Sequence, residues 1–188
     1  MTDAKIKHIT TPLTAETIKD LHAGDVVPIP GPVYTARDAA HKRMTEAMAE
    51  GRPLPFDIKG QVVYYVGPSP TKPGEIVGSA GPTTSGRMDA MSPRLLDLGN
   101  KIMIGKGKRD AAVKAAVVRN GAVYLAALGG AGALMAKSVQ TLEVIAWPDL
   151  GCEAVRRLTV QDMPLTVVLD AHGGDLYEEG PAAYLAAL

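Results

Sequence analysis

The chain has 188 residues, and its 20 Lys and Arg balance 20 Asp and Glu, so the formal net charge is zero. That balance argues against a main role on nucleic acid or an anionic membrane. The single cysteine, Cys152, excludes an internal disulfide, a thiolate zinc site and an iron–sulfur cluster held by this chain alone.

Residues 1–13 read as an extended lead-in, and the first 30 residues carry no apolar signal-peptide core. Thr14 is placed to cap a short helix reaching residue 22, with Ile18 and Leu21 inward. Gly24-Asp25 marks a turn, and 26–29 a short strand that Pro28 and Pro30 assign to a sheet edge. A helix over 35–50, capped by Thr35, gathers Ala36, Ala40, Met44, Ala47 and Met48 near one face. Residues 61–66 (QVVYYV) form a strong strand, followed by a three-proline loop over 67–74 suited to a lid or a partner surface. Strands at 102–104, 122–127, 142–146 and 165–169 then alternate with helices at 109–119 and 131–138 and a short one near Ala154. The fold class is α/β with a mixed sheet, in one domain over 1–188. The most apolar stretch, 122–136, is interrupted by glycines and is shorter than the roughly 20 residues a membrane helix needs. A reducing, cytoplasmic setting is expected.

Three segments are too polar or too glycine-rich for plain core elements. In GPVYTARDAAH (31–41) a Gly/Pro loop feeds a helix start, where backbone N–H groups favour an anion, yet Arg37 sits in the first turn. Either something negative stands near it, Asp38 or a bound carboxylate, or Arg37 is a surface residue paired with a neighbour. GPTTSGRMD (81–89) offers three hydroxyls, backbone donors and one guanidinium, a set suited to a carboxylate or phosphate. Its plainer reading is a helix start capped by Ser85, with Asp89 completing the first turn. IGKGKR (104–109) lacks the spacing of a phosphate loop, so Lys106 either reaches a ligand or lies in a solvated turn. Gly129-Gly-Ala-Gly132 reads as close helix–strand packing, and Cys152 as a small buried hydrophobe. The four histidines show no metal-ligand spacing; His41 shares a helix face with Arg37.

Together and in this order, YTARDAAH (34–41), GPTTSGRMD (81–89) and the strand followed by GKG (102–107) resemble one family. It comprises the β subunit of two-subunit class I fumarases, the C-terminal domain of their single-chain forms, and the β subunit of L-tartrate dehydratase. The resemblance covers essentially the whole chain and implies a swivelling three-layer β/β/α domain. It implies reversible hydration of fumarate to L-malate, with a [4Fe–4S] cluster held by three cysteines of an α subunit as the Lewis acid. It further implies that the isolated chain is inactive.

Carried over by motif, Arg37, Arg87 and Lys106 would hold the substrate's carboxylates, a task suited to bidentate cations. The resemblance assigns the base to Thr83, with Thr84 and Ser85 as neighbours that could replace it. Asp38, Asp89 and His41 are candidates to support the site, His41 having the plain helix histidine as its alternative. A threonine hydroxyl is a very poor base, so Arg87, Lys106 and the loop N–H groups would have to favour its alkoxide. The three cations would serve L-tartrate or mesaconate as well, and a non-catalytic anion-binding or assembly module is the alternative from another class. An α–β heteromer is expected, with 67–74 and 122–136 as its surface; whether isolated chains form a homodimer is open.

Overall fold

The computed structural model describes residues 6–9 and 14–188; most of the lead-in over 1–13 therefore lies outside the described residues. Ile6 bridges Val26 in parallel fashion, and α1 (Ala15–Lys19) follows with Thr14 Oγ1 accepting the Thr17 N–H at 3.2 Å. Ile18 and Leu21 are buried as the pattern predicts.

The chain continues through β1 (Val26–Thr35), α2 (Asp38–Ala49), β2 (Val62–Tyr64), a 3-10 turn at Ser85–Met88, α3 (Ser92–Asp97) and β3 (Ile102–Gly105). It ends through α4 (Ala111–Arg119), β4 (Val123–Ala126), α5 (Gly132–Lys137), β5 (Val139–Ala146), a 3-10 stretch at Pro148–Glu153, β6 (Val155–Leu169) and α6 (Leu176–Ala186). β1 to β4 run parallel, each paired with the next, and β6 is antiparallel to β1, β4 and β5. Because β6 pairs with both β1 and β4, five of the six strands close into a barrel-like ring, and β5 hangs from β6 outside it.

Two expectations change here. The first strand does not stop at residue 29: it runs to Thr35 and pairs with β6 on one side and, through Tyr34 and Thr35, with β2 on the other. Its prolines are tolerated because Pro28 faces Pro164, and Gly31 (φ 98) takes up a register shift beside Pro30. The last strand is 15 residues long rather than the five of 165–169, and it carries Asp162 in a left-handed conformation (φ 49) where the register shifts.

Alternation along the strands divides the apolar residues into two clusters. Val62, Tyr64, Ile102, Ile104, Val123 and Leu125 point into the ring, with β1 and β6 residues opposite. Val63, Met103 and Tyr124 point outward and are covered by Ala40 and Met44 of α2, Leu95 and Leu96 of α3, and Val113 and Val117 of α4. The result is a mixed α/β architecture with helices over the ring, compatible with a β/β/α domain. No helix among the described residues is long and apolar enough to cross a membrane.

Candidate active site

The three polar segments converge at the carboxyl ends of the parallel strands, the usual place for a ligand in such sheets. β1 delivers Arg37 and Asp38, β2 leads to Gly67, β3 to Lys106 and β4 to Gly129. The GPTTSGRMD string lies across these ends. Pro82 bridges Val66, the Thr83 N–H donates to the Tyr65 carbonyl at 2.7 Å, and Thr84 bridges Lys106.

The Asp38 carboxylate joins the two arginines. Arg37 Nε reaches Asp38 Oδ2 at 3.1 Å and Arg87 Nε reaches Oδ1 at 2.6 Å. Burial pushes the Asp38 carboxyl up, but its own backbone N–H and the two guanidiniums outweigh this and hold it below the usual carboxylate range. Both guanidiniums are held through Nε, the edge opposite the terminal Nη fork.

Glu153 is a member of the site that sequence reasoning missed. Its Oε1 stands 3.5 Å from Arg37 Nε, and its Oε2 accepts the Ala39 N–H at 2.6 Å. Two carboxylates therefore stand at the start of α2: Asp38, as expected, and Glu153, 114 residues from Ala39 along the chain, which no sequence signal marks. Arg37, not Thr35, occupies the N-cap position; Thr35 instead ends β1, its hydroxyl donating to the Ala154 carbonyl at 3.3 Å.

Lys106 is half-buried, and no side-chain partner for its Nζ occurs among the described residues. Its stem passes Gly129, where an added Cβ would lie 3.6 Å from Lys106 Cδ. Gly67, unlike Gly129, is tightly constrained: a Cβ there would come within 3.0 Å of Arg37 Cδ and 3.1 Å of the Cys152 carbonyl. Thr83 is half-buried and Thr84 exposed. A cleft of about 470 Å³ lies among Gly67, Pro82, Lys106, Gly130 and Cys152. A larger groove of about 830 Å³, between residues 69–79 and α5, shares only Ser69, Pro70 and Ser79 with it and holds none of the predicted cations.

Ser85 does not cap a helix. Thr84 precedes the 3-10 turn, and the buried Ser85 Oγ instead accepts the Lys106 N–H at 3.1 Å and the Tyr124 hydroxyl at 2.9 Å. Asp89 lies beneath the loop, where it accepts Arg109 Nε at 2.6 Å and the Asp110 N–H at 2.7 Å. His41 is fully buried, edge-on to Tyr65 at 5.0 Å, and so lies under the site rather than in it.

Cys152 is exposed, not buried as expected. Residues 122–125 and 127 are core, which withdraws that half of 122–136 as a partner surface, while Leu128 and Leu134 remain exposed. The 129–132 glycine run packs against a loop rather than a strand: a Cβ on Gly132 would collide with Ser79 Oγ and approach the Gly81 N at 2.9 Å. Among the described residues no three His, Cys, Asp or Glu side chains stand close enough to hold a metal ion.

Residues 2–180 match the fumarase C-terminus family. The chain belongs to that family. It is 38% identical over 151 residues to the aerobic class I fumarate hydratase of Escherichia coli, and 40% identical over 162 residues to fumarate hydratase 2 of Leishmania major. These alignments take in 79% and 83% of the chain, which spans 28% of the length of either enzyme. Against the E. coli L(+)-tartrate dehydratase subunit beta, the fumarase C-terminus match is nearly end to end. It is 34% identical over 179 residues, covering 92% of this chain and 87% of that protein. The relatives carry the names of hydro-lyases, one of them as a subunit of a multi-subunit enzyme.

Proposed function

We propose that this chain is the β subunit of a hydro-lyase that interconverts fumarate and L-malate, working with an α subunit that holds a [4Fe–4S] cluster. The observation that carries the reading is the convergence of Arg37 and Arg87 on one carboxylate, beside the Thr83–Lys106 pair of loops. Two cations from distant segments meet on Asp38, and Thr84, in the same loop as Thr83 and Arg87, bridges Lys106.

A substrate with two carboxylates needs planar, bidentate donors, and the Nη forks of Arg37 and Arg87 suit that role. Lys106 adds an ammonium on the β3 side. With the carboxylates held, the negative charge that develops when a proton leaves the adjacent carbon is stabilised electrostatically. In the dehydration direction Thr83, its alkoxide favoured by Arg87 and Lys106, takes that proton on Oγ1. The C–H pair forms the double bond, and the hydroxyl leaves the next carbon as hydroxide, for which the partner's cluster would supply the Lewis acid. Arg109, Asp89 and Ser85 brace the loops from below. L-tartrate and mesaconate present the same paired carboxylates and form the second reading, favoured for tartrate by the end-to-end match to a tartrate dehydratase subunit.

The test is anaerobic mixing of the chain with the cluster-bearing partner, following fumarate absorbance, with tartrate and mesaconate in parallel. Turnover is expected only in the mixture. Thr83→Ala and Arg87→Ala are expected to lower kcat by at least ~100-fold while assembly stays intact. Undiminished turnover in Thr83→Ala removes it from the base role.

A further inference from the structure

Lys106 stands between Gly105 and Gly107, so its neighbours give its backbone no side-chain support. The support comes from elsewhere. The Lys106 N–H donates to Ser85 Oγ at 3.1 Å, and its carbonyl accepts the Ser85 N–H at 2.9 Å. Gly107, at φ 84, donates its N–H to the Tyr177 hydroxyl at 3.0 Å. The single Tyr124 hydroxyl proton is shared between Ser85 Oγ at 2.9 Å and the Gly107 carbonyl at 3.0 Å, so one group touches both sides of Lys106.

Gly105 is explained by the same arrangement. A Cβ there would collide with Ser85 Oγ, so the glycine makes room for the serine rather than for a ligand. The Tyr124 ring is itself fully buried, with the Arg109 guanidinium 5.0 Å from its centre. The bases of the two loops are thus fully tied, while Lys106 Nζ and Thr83 Oγ1 bond to no described residue.

We propose that Tyr124 is a positioning residue: through Ser85 and Gly107 it locks the Gly105-Lys106-Gly107 turn against the Thr83–Arg87 loop, so that Lys106 and Thr83 address the same anionic substrate. The proposal rests on the site reading above, but the clamp can be measured without turnover. Tyr124→Phe keeps the ring and removes the shared hydroxyl. One net hydrogen bond is lost, so amide exchange at Lys106 in the full chain is expected to quicken about tenfold, read by NMR. Tyr184→Phe, at an exposed ring of α6, is expected to leave that exchange unchanged.

In the assembled enzyme Tyr124→Phe is expected to raise KM for fumarate about tenfold, with a smaller change in kcat, alongside the drop of a few degrees in thermal midpoint that one lost buried hydrogen bond brings. A merely structural role would lower the midpoint and leave KM alone. Should Tyr124→Phe fail to fold, Ser85→Ala is expected to give the same faster exchange at Lys106. Unchanged exchange at Lys106 in a folded variant overturns the clamp. Quickened exchange with unchanged KM overturns the positioning role. Quickened exchange in a variant whose parent assembly turns over no dicarboxylate supports the clamp and overturns the proposed function instead.

Discussion

His41 is a neutral histidine by construction. Burial holds it down to about 4, helped by the Arg109 charge and opposed by the Arg37 carbonyl and Asp38. In the unfolded chain an imidazole titrates near ~6.5. Between those values the unfolded chain takes up the proton and the folded chain does not. Stability from this residue is therefore complete above about pH 6.5 and lost as the pH falls toward 4, by up to about 3 kcal/mol. Urea midpoints at pH 7.5 and 4.5 should separate strongly in the parent and less in His41→Gln; equal separations in both would acquit the histidine. The three polar strings that hold Arg37, Arg87 and Lys106 stand out in the sequence, but singly each has a plain structural reading, and only the family resemblance groups the three cations. Glu153 does not stand out, since it reaches Arg37 only through the ring that brings β6 beside β1. Of the two readings the sequence offers for Ser85, the cap fails: its hydroxyl is buried against that of Tyr124, a contact no local pattern shows.

Elements with a local signal were legible, and those whose signal is tertiary were not. α4 falls within the expected 109–119, its start fixed by Asp110, which accepts the Val113 N–H at 2.8 Å, and β2, β3 and β4 are apolar runs bounded by turns. Of β6 only 165–169 reads as a strand, because Asp162 and Pro164 look like a break before it; partners on both sides carry the strand back to Val155. α6 was absent from the reading of the sequence, its pattern obscured by Gly180 and Pro181 inside it. The junction of β3 with the 81–89 loop invites a double-mutant test. Gly105→Ala alone forces the new methyl onto Ser85 Oγ and against Tyr65, and is expected to cost about 2 kcal/mol. Combined with Ser85→Gly the added penalty should shrink by about half or more, measured as denaturant midpoints. Strict additivity of the two changes would mean that the contact does not set the glycine.

For the molecule as a whole, the two apolar clusters share strands. β2, β3 and β4 give alternate residues to the ring interior and to the helical layer, so neither can loosen alone. Leu158, fully buried and opposite both Val33 and Leu142, belongs to the inner cluster. Trp147, the single tryptophan, packs against the outer one. Leu158→Ala is expected to cost about 2–5 kcal/mol. The loss should appear equally in Trp147 fluorescence and far-UV circular dichroism, as one transition. Two separated transitions would refute the coupling. The alternation of strands and helices made the α/β class readable in advance, but nothing local announces that the sheet closes on itself.

That closure has a consequence for the order of events during synthesis. Val26 pairs with Thr166 and Thr35 with Arg156, so the strand made early must wait for one made near the end. Until then β1 presents an unpaired edge and Val27, Ile29 and Val33 have no opposite wall. A nascent chain halted before residue 155 should therefore remain protease-sensitive and chaperone-bound, and folding in vitro should be slow for a domain of this size because its key contacts span most of the polypeptide.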